Sequence, residues 1–160
     1  MRSVWFIIGT LAAAFAIGAP ANSPRTFSVV VHQSNSTSNL RFSDLQAFFS
    51  GHGKRWPNGS NVVLVERSPD SPAFRFLLDR VLSMSPGEYK RRLANIEFMG
   101  DAPVNLKILN SEEAACKYVF NVPGSIALIE TESLQTSVCS GVHVVRIDGK
   151  LPAEEGYRLR

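Results

Sequence analysis

The sequence predicts an α/β domain, a three-layer sandwich with a mostly parallel sheet. Three observations predict it. Short apolar runs such as Val62-Val63-Leu64-Val65 suit strands buried on both faces. Other segments place apolar residues at i, i+3 and i+4, the spacing of an amphipathic helix. The two patterns alternate along the chain, which is the order of a parallel sheet covered by helices. At 160 residues, 44% hydrophobic and 19% charged, the chain has enough apolar material for one core, which excludes a disordered or collagen-like protein.

The first residues stand apart from that domain. Met1-Arg2-Ser3 is a short positive start, Val4 to Gly18 is an almost uninterrupted apolar run, and Ala19-Pro20-Ala21 supplies the small residues a signal peptidase reads. Residues 1–21 therefore read as a cleaved secretory signal and residues 22–160 as a single domain, placed in the periplasm or outside the cell. The apolar run is shorter than the roughly 20 residues that span a bilayer. No cysteine follows it to carry a lipid.

Within the domain, Phe27 to His32 reads as a buried strand and Gln33 to Asn39 as a loop of Ser, Asn and Thr. Ser43 and Gln46 have capping-box spacing, and Leu45, Phe48 and Phe49 follow, so residues 44–50 form a short helix closed by Gly51. Gly51 to Gly59 is a polar turn, and Asn61 to Glu66 is a strand. Ser71 is the N-cap of the next helix and Pro72 its first residue, with Phe74, Leu77, Leu78, Val81 and Leu82 on the buried side. Ser85-Pro86-Gly87-Glu88 repeats the start signal for a short helix through Tyr89 and Leu93, with Lys90, Arg91 and Arg92 mostly wet. Val104 to Leu109 is a strand, and Asn110 or Ser111 caps a helix with Glu112 and Glu113 in its first turn. Pro123-Gly124 turns into the strand Ser125 to Glu130, Val142 to Ile147 is the last strand, and the polar tail from Asp148 to Arg160 lies against the surface. There is no internal repeat.

Chemistry leaves little trace. His32, His52 and His143 share no ligand spacing, and there is neither a Cys-x-x-Cys pair, a Gly-x-Ser-x-Gly elbow nor a phosphate-loop signature. The expectation is a non-catalytic protein with no cofactor and no metal. Export leaves two readings open for Cys116 and Cys139: a disulfide, or two buried thiols. A net charge of +3 is too small for a nucleic-acid surface. The charge is uneven, however, with eight basic and four acidic residues between positions 51 and 92, and two basic and six acidic between 93 and 137.

The segment Arg67-Ser68-Pro69-Asp70-Ser71-Pro72-Ala73-Phe74 joins the carboxyl end of a buried strand to the start of a helix, the place where open α/β sheets bind ligands. Orphan N–H groups of a first helical turn, a Ser hydroxyl and an Arg fork together make an oxyanion cradle. The same residues also read as ordinary capping, with Ser71 on the helix and Arg67 paired with Asp70 or Glu66.

The run Val62-Val63-Leu64-Val65-Glu66-Arg67-x-x-Asp70-Ser71-x-x-Phe74, then Leu77-Leu78 and Met84-Ser85-Pro86, resembles the phosphate-binding proteins of bacterial ABC transporters, in the type II periplasmic binding protein superfamily. Leu40 to Phe49, Gly51 and Trp56-Pro57-Asn58-Gly59 are similar to that family's helix-Gly-x-x-x-Trp stretch. Pro123-Gly124-Ser125-Ile126-Ala127 and Arg146-Ile147-Asp148-Gly149-Lys150 are similar to its later strands. The resemblance covers roughly residues 27 to 157. It implies a phosphate or similar oxyanion as ligand, held by Arg67 and Ser71, with the backbone N–H groups of Ala73 and Phe74 and the Ser68 hydroxyl assisting. It also implies a membrane transporter or sensor as partner.

Two departures from the family's Arg-x-Asp-x-Ser-Gly-Thr loop reduce the donors on offer. Pro72 stands for Gly and removes an N–H, and Ala73 stands for Thr and removes a hydroxyl. The family also closes two lobes over its ligand, whereas this sequence matches one, so weak binding at about millimolar Kd is expected. A homodimer of two lobes would rebuild a cleft. The alternative keeps the fold without the ligand, as a periplasmic protein-interaction module with Trp56, Phe48 and Phe49 as its first candidate anchors.

Overall fold

The computed structural model describes residues 25–98 and 105–160; the expected signal segment 1–21 and the strand start at Val104 lie outside them. Six strands form one sheet in the order β2-β6-β1-β5-β3-β4. They are β1 (Phe27–His32), β2 (Asn39–Leu40), β3 (Val63–Arg67), β4 (Leu106–Leu109), β5 (Ser125–Glu130) and β6 (Val142–Ile147). Among the described residues, four α-helices accompany them: α1 (Phe42–Phe49), α2 (Pro72–Phe76), α3 (Pro86–Phe98) and α4 (Glu112–Asn121).

The sheet is mostly parallel, as expected, with one exception. β2 runs parallel to β6, and β3 runs parallel to both β4 and β5, but β1 is antiparallel to both of its neighbours, β5 and β6. The continuous apolar run of β1 marks a strand buried on both faces and carries no sign of direction. Alternation along the strands then sorts the core into two layers. Phe27, Val29, Val31, Leu64, Ile126, Leu128, Val145 and Ile147 pack on one face with α1, α2 and Tyr89 of α3. Val30, Val65, Ala127 and Ile129 pack on the other with Ala115, Cys116 and Val119 of α4. Cys116 and Cys139 are joined in a disulfide that ties α4 to the turn before β6.

Local chemistry departs from expectation in four places. The N-cap of α1 is Arg41, not Ser43: the Asp44 carboxylate accepts the Arg41 N–H at 3.3 Å and pairs with its guanidinium at 2.9 Å, while Gln46 donates to the Val81 carbonyl at 2.7 Å. The second helix begins as expected, with Ser71 Oγ accepting the Phe74 N–H at 3.1 Å, but widens into a π-helix over Leu77–Leu82. Leu77, Leu78, Val81 and Leu82 are all buried there. The short strand β2 emerges from the Ser/Asn/Thr loop because Leu40 is buried beside Ile147. The polar tail is anchored in the core by Tyr157 and Leu159, and the Leu159 carbonyl accepts the Phe27 N–H at 2.8 Å. At the start of α3, Ser85 and Glu88 form the expected capping box, with Ser85 N–H donating to the Glu88 carboxylate at 2.8 Å.

Candidate functional site at the carboxyl end of β3

Strand alternation divides the end of β3. Glu66 follows Leu64 onto the α1–α2–α3 face, and Arg67 follows Val65 onto the α4 face. The Arg67 side chain is 11% exposed and is held by three groups. Its Nη1 donates to Glu112 Oε1 at 2.5 Å, its Nε to the Leu109 carbonyl at 3.3 Å and its Nη2 to the Asn110 carbonyl at 3.1 Å. The partner is thus Glu112, not the Asp70 or Glu66 expected from local pairing. The other Glu112 oxygen accepts the Glu130 N–H at 3.3 Å. Burial pushes the Glu112 carboxyl above the usual glutamate range, against the pull of Arg67 and the Glu130 N–H.

Ser71 and its neighbours sit over the other face. Ser71 is buried and its hydroxyl oxygen is the helix cap. Pro72 has no N–H, Phe74 gives its N–H to that cap, and Arg75 gives its N–H to the Ser71 carbonyl at 3.1 Å. The remaining N–H of the first turn belongs to Ala73, which is buried. Ser68 donates its N–H to the Leu109 carbonyl at 3.0 Å and accepts the Ser71 N–H at 2.9 Å. Arg67, Ala73 and Phe74 do meet, with Glu66, around one small cavity. Its volume is about 10 Å³, room for about one water and not for an oxyanion of phosphate size. In this conformation Arg67, Ala73 and Phe74 flank a cavity too small for the expected ligand, Ser68 and Ser71 do not line it, and the cation already holds a carboxylate.

Glu66 is the site's least expected member. It is 3% exposed, and its carboxyl accepts a hydrogen bond from the Tyr89 hydroxyl of α3. Burial pushes it up to about 7, although the Tyr89 hydrogen bond works in the opposite direction. Sequence reasoning offered Glu66 only as an ion-pair partner for Arg67, and passed over Tyr89 and Glu112 because each has an ordinary local reading, helix core and first-turn acid. The available signal was a carboxylate two positions after Leu64 in a strand buried on both faces.

Trp56, Phe48 and Phe49, the expected partner anchors, are all buried, and Trp56 Nε1 donates to the Gly124 carbonyl at 2.8 Å. They hold the core and do not form an exposed face. Part of the basic stretch does converge elsewhere. His52, Lys54, Arg91 and Arg92 line an open groove of about 700 Å³ between the loop after α1 and α3, with Glu88 among them, and Arg92 contacts His52. Among the described residues no group of His, Cys, Asp and Glu side chains is arranged to hold a metal ion, and no helix is long and apolar enough to cross a membrane.

No protein-family model matches the chain, and no curated protein matches it in sequence. Solved structures do match in fold. A putative phosphate ABC transporter substrate-binding protein with bound phosphate from Clostridium perfringens superposes with a TM-score of 0.62 at 16% identity, over 80% of this chain and 47% of its own. PstS from Borrelia burgdorferi gives 0.68 at 12% identity, over 84% and 54%. An ABC-type phosphate transport receptor from Vibrio cholerae gives 0.58 at 17% identity, over 84% and 53%. The chain spans about half the length of these proteins. It has the α/β fold of a lobe of phosphate-binding proteins of ABC transporters.

Proposed function

We propose that this chain is an exported, non-catalytic oxyanion-binding domain, with residues 1–21 as its signal and residues 22–160 as the domain. The observation that supports it best is Arg67: on a fold shared with phosphate-binding proteins, a mostly buried guanidinium at the carboxyl end of a parallel strand already holds an oxyanion group. Phosphate is the ligand this reading favours, taken by Arg67 and Ser71, with the N–H groups of Ala73 and Phe74 and the Ser68 hydroxyl closing around it once the cradle opens. Opening costs free energy, so affinity is weak, at about millimolar Kd. A periplasmic location and a membrane transporter or sensor as partner belong to the same reading, and a homodimer would supply the second wall.

A second reading is favoured by one observation, the cavity of about 10 Å³ beside Arg67. In it the fold serves a protein partner and the cradle stays shut. Titration of the purified protein with phosphate, followed by amide NMR shifts with sulfate as competitor and Arg67→Ala as control, separates the two. Saturable shifts over residues 67–75 that disappear in the variant support the binder. Unchanged spectra up to tens of millimolar, well above an open lobe's expected Kd, support the partner module.

A further inference from the structure

We infer that Arg67 and the backbone N–H of Glu130 form an anion seat on the α4 face of the sheet, and that the chain fills this seat with its own Glu112 carboxylate. The geometry is that of a bound ligand. One Glu112 oxygen accepts from the guanidinium of β3 at 2.5 Å, and the other accepts from a backbone N–H of β5, the adjacent strand, at 3.3 Å. Both donors point to one place from different strands, and neither belongs to the helix that carries Glu112. Glu112 is the first residue of α4, whose ten residues set the positive end of a helix dipole against the same position.

The seat has supports besides its occupant. The Leu109 and Asn110 carbonyls hold Nε and Nη2 of Arg67, which leaves Nη1 for the seat. The Glu130 N–H is fixed by the end of the strand, and the Glu130 side chain lies 3.5 Å from Arg25. A cationic donor and a backbone donor converging in this way fit a small oxyanion, inorganic phosphate or a carboxylate such as formate, that divides two oxygens between them. Any such anion in solution competes with a carboxylate tethered by one side chain, whose effective concentration is at least millimolar. Glu112 therefore sets how weakly Arg67 binds. The inference rests on the proposed function only in taking Arg67 as the anion contact.

Removal of the tethered carboxylate tests the seat. In Glu112→Ala, phosphate is expected to bind at least tenfold more tightly than in the wild type, with amide shifts centred on residues 112–114 and Glu130 alongside Arg67. The melting temperature of this variant is expected to rise with added phosphate or formate, and that of Arg67→Ala/Glu112→Ala to stay constant. A folded Glu112→Ala whose phosphate affinity equals the wild type's overturns the inference. If Glu112→Ala does not fold, Glu112→Gln keeps an acceptor for the Glu130 N–H without the charge, and an unchanged affinity there overturns it equally. Wild-type shifts confined to residues 68–74 and indifferent to Glu112 overturn the seat and leave the proposed function standing. Binding by Glu112→Ala alone upholds the seat and removes phosphate binding from the wild type.

Discussion

Two acidic residues decide the character of the site, and both act through burial. Glu66 carries a pKa of about 7 in the fold against 4.5 for an ordinary glutamate. The folded state therefore holds a proton that the unfolded chain releases between those values, and stability falls as pH rises from about 4.5 to 7. Glu66→Gln removes that slope, which over this window amounts to something on the order of 3 kcal/mol. Urea unfolding of both proteins at pH 5 and pH 8 checks it: the wild type is expected to lose stability relative to the variant at the higher pH, and parallel profiles would contradict the account. At Arg67 the expectation has the opposite sense. Arg67→Ala leaves the Glu112 carboxylate, 22% exposed, without its cation, and a loss of about 1–3 kcal/mol is expected by the same unfolding measurement at neutral pH. Neither glutamate was legible in the sequence in the role the structure gives it. What makes them special is the face each strand or helix position takes once the sheet is assembled, and local spacing does not carry that information.

Among the elements, the segment from β3 into α2 was the most legible, because its signals are local. Ser71 as N-cap and Pro72 as first residue require only the neighbouring turn, and the structure shows both. Ser71→Ala is expected to cost about 1 kcal/mol in unfolding free energy. The π-helix that follows was not legible, since apolar residues at i, i+1, i+4 and i+5 fall on one side of an α-helix and of a π-helix alike. The same limit applies to the cap of α1, where Arg41 and Asp44 won over Ser43 and Gln46, and Gln46 turned to the Val81 carbonyl on a distant element. The Pro123-Gly124 turn shows why its glycine cannot be replaced. Gly124 has φ of +80°, and an added Cβ would lie 2.4 Å from the Asn61 carbonyl oxygen. Gly124→Ala is expected to destabilise by more than about 1 kcal/mol, since strain and a backbone clash act together. The disulfide contributes at this scale too: replacing both Cys116 and Cys139 by Ser frees a loop of some two dozen residues in the unfolded state. A loss of about 3 kcal/mol is expected by urea unfolding under oxidising conditions.

At the scale of the molecule, the alternation of apolar strands and amphipathic helices was enough to read a three-layer α/β domain, and the fold matches phosphate-binding proteins over about half their length. The direction of β1 escaped because it depends on which strands flank it, and the burial of Tyr157 and Leu159 escaped because a polar tail hides two apolar residues that close the core. The candidate site was legible as a loop and not as a pocket. The sequence places Arg67, Ser68, Ser71, Ala73 and Phe74 together, whereas the sheet turns Arg67 toward α4 and closes the space between them. Function at this scale rests on whether solution anions reach that guanidinium. The most direct measurement is the amide NMR titration of the purified protein with phosphate, with Arg67→Ala alongside. Saturable shifts over residues 67–75 at about millimolar phosphate, absent in the variant, are the predicted result. Spectra that stay flat to tens of millimolar, or shifts that persist without Arg67, would contradict the account.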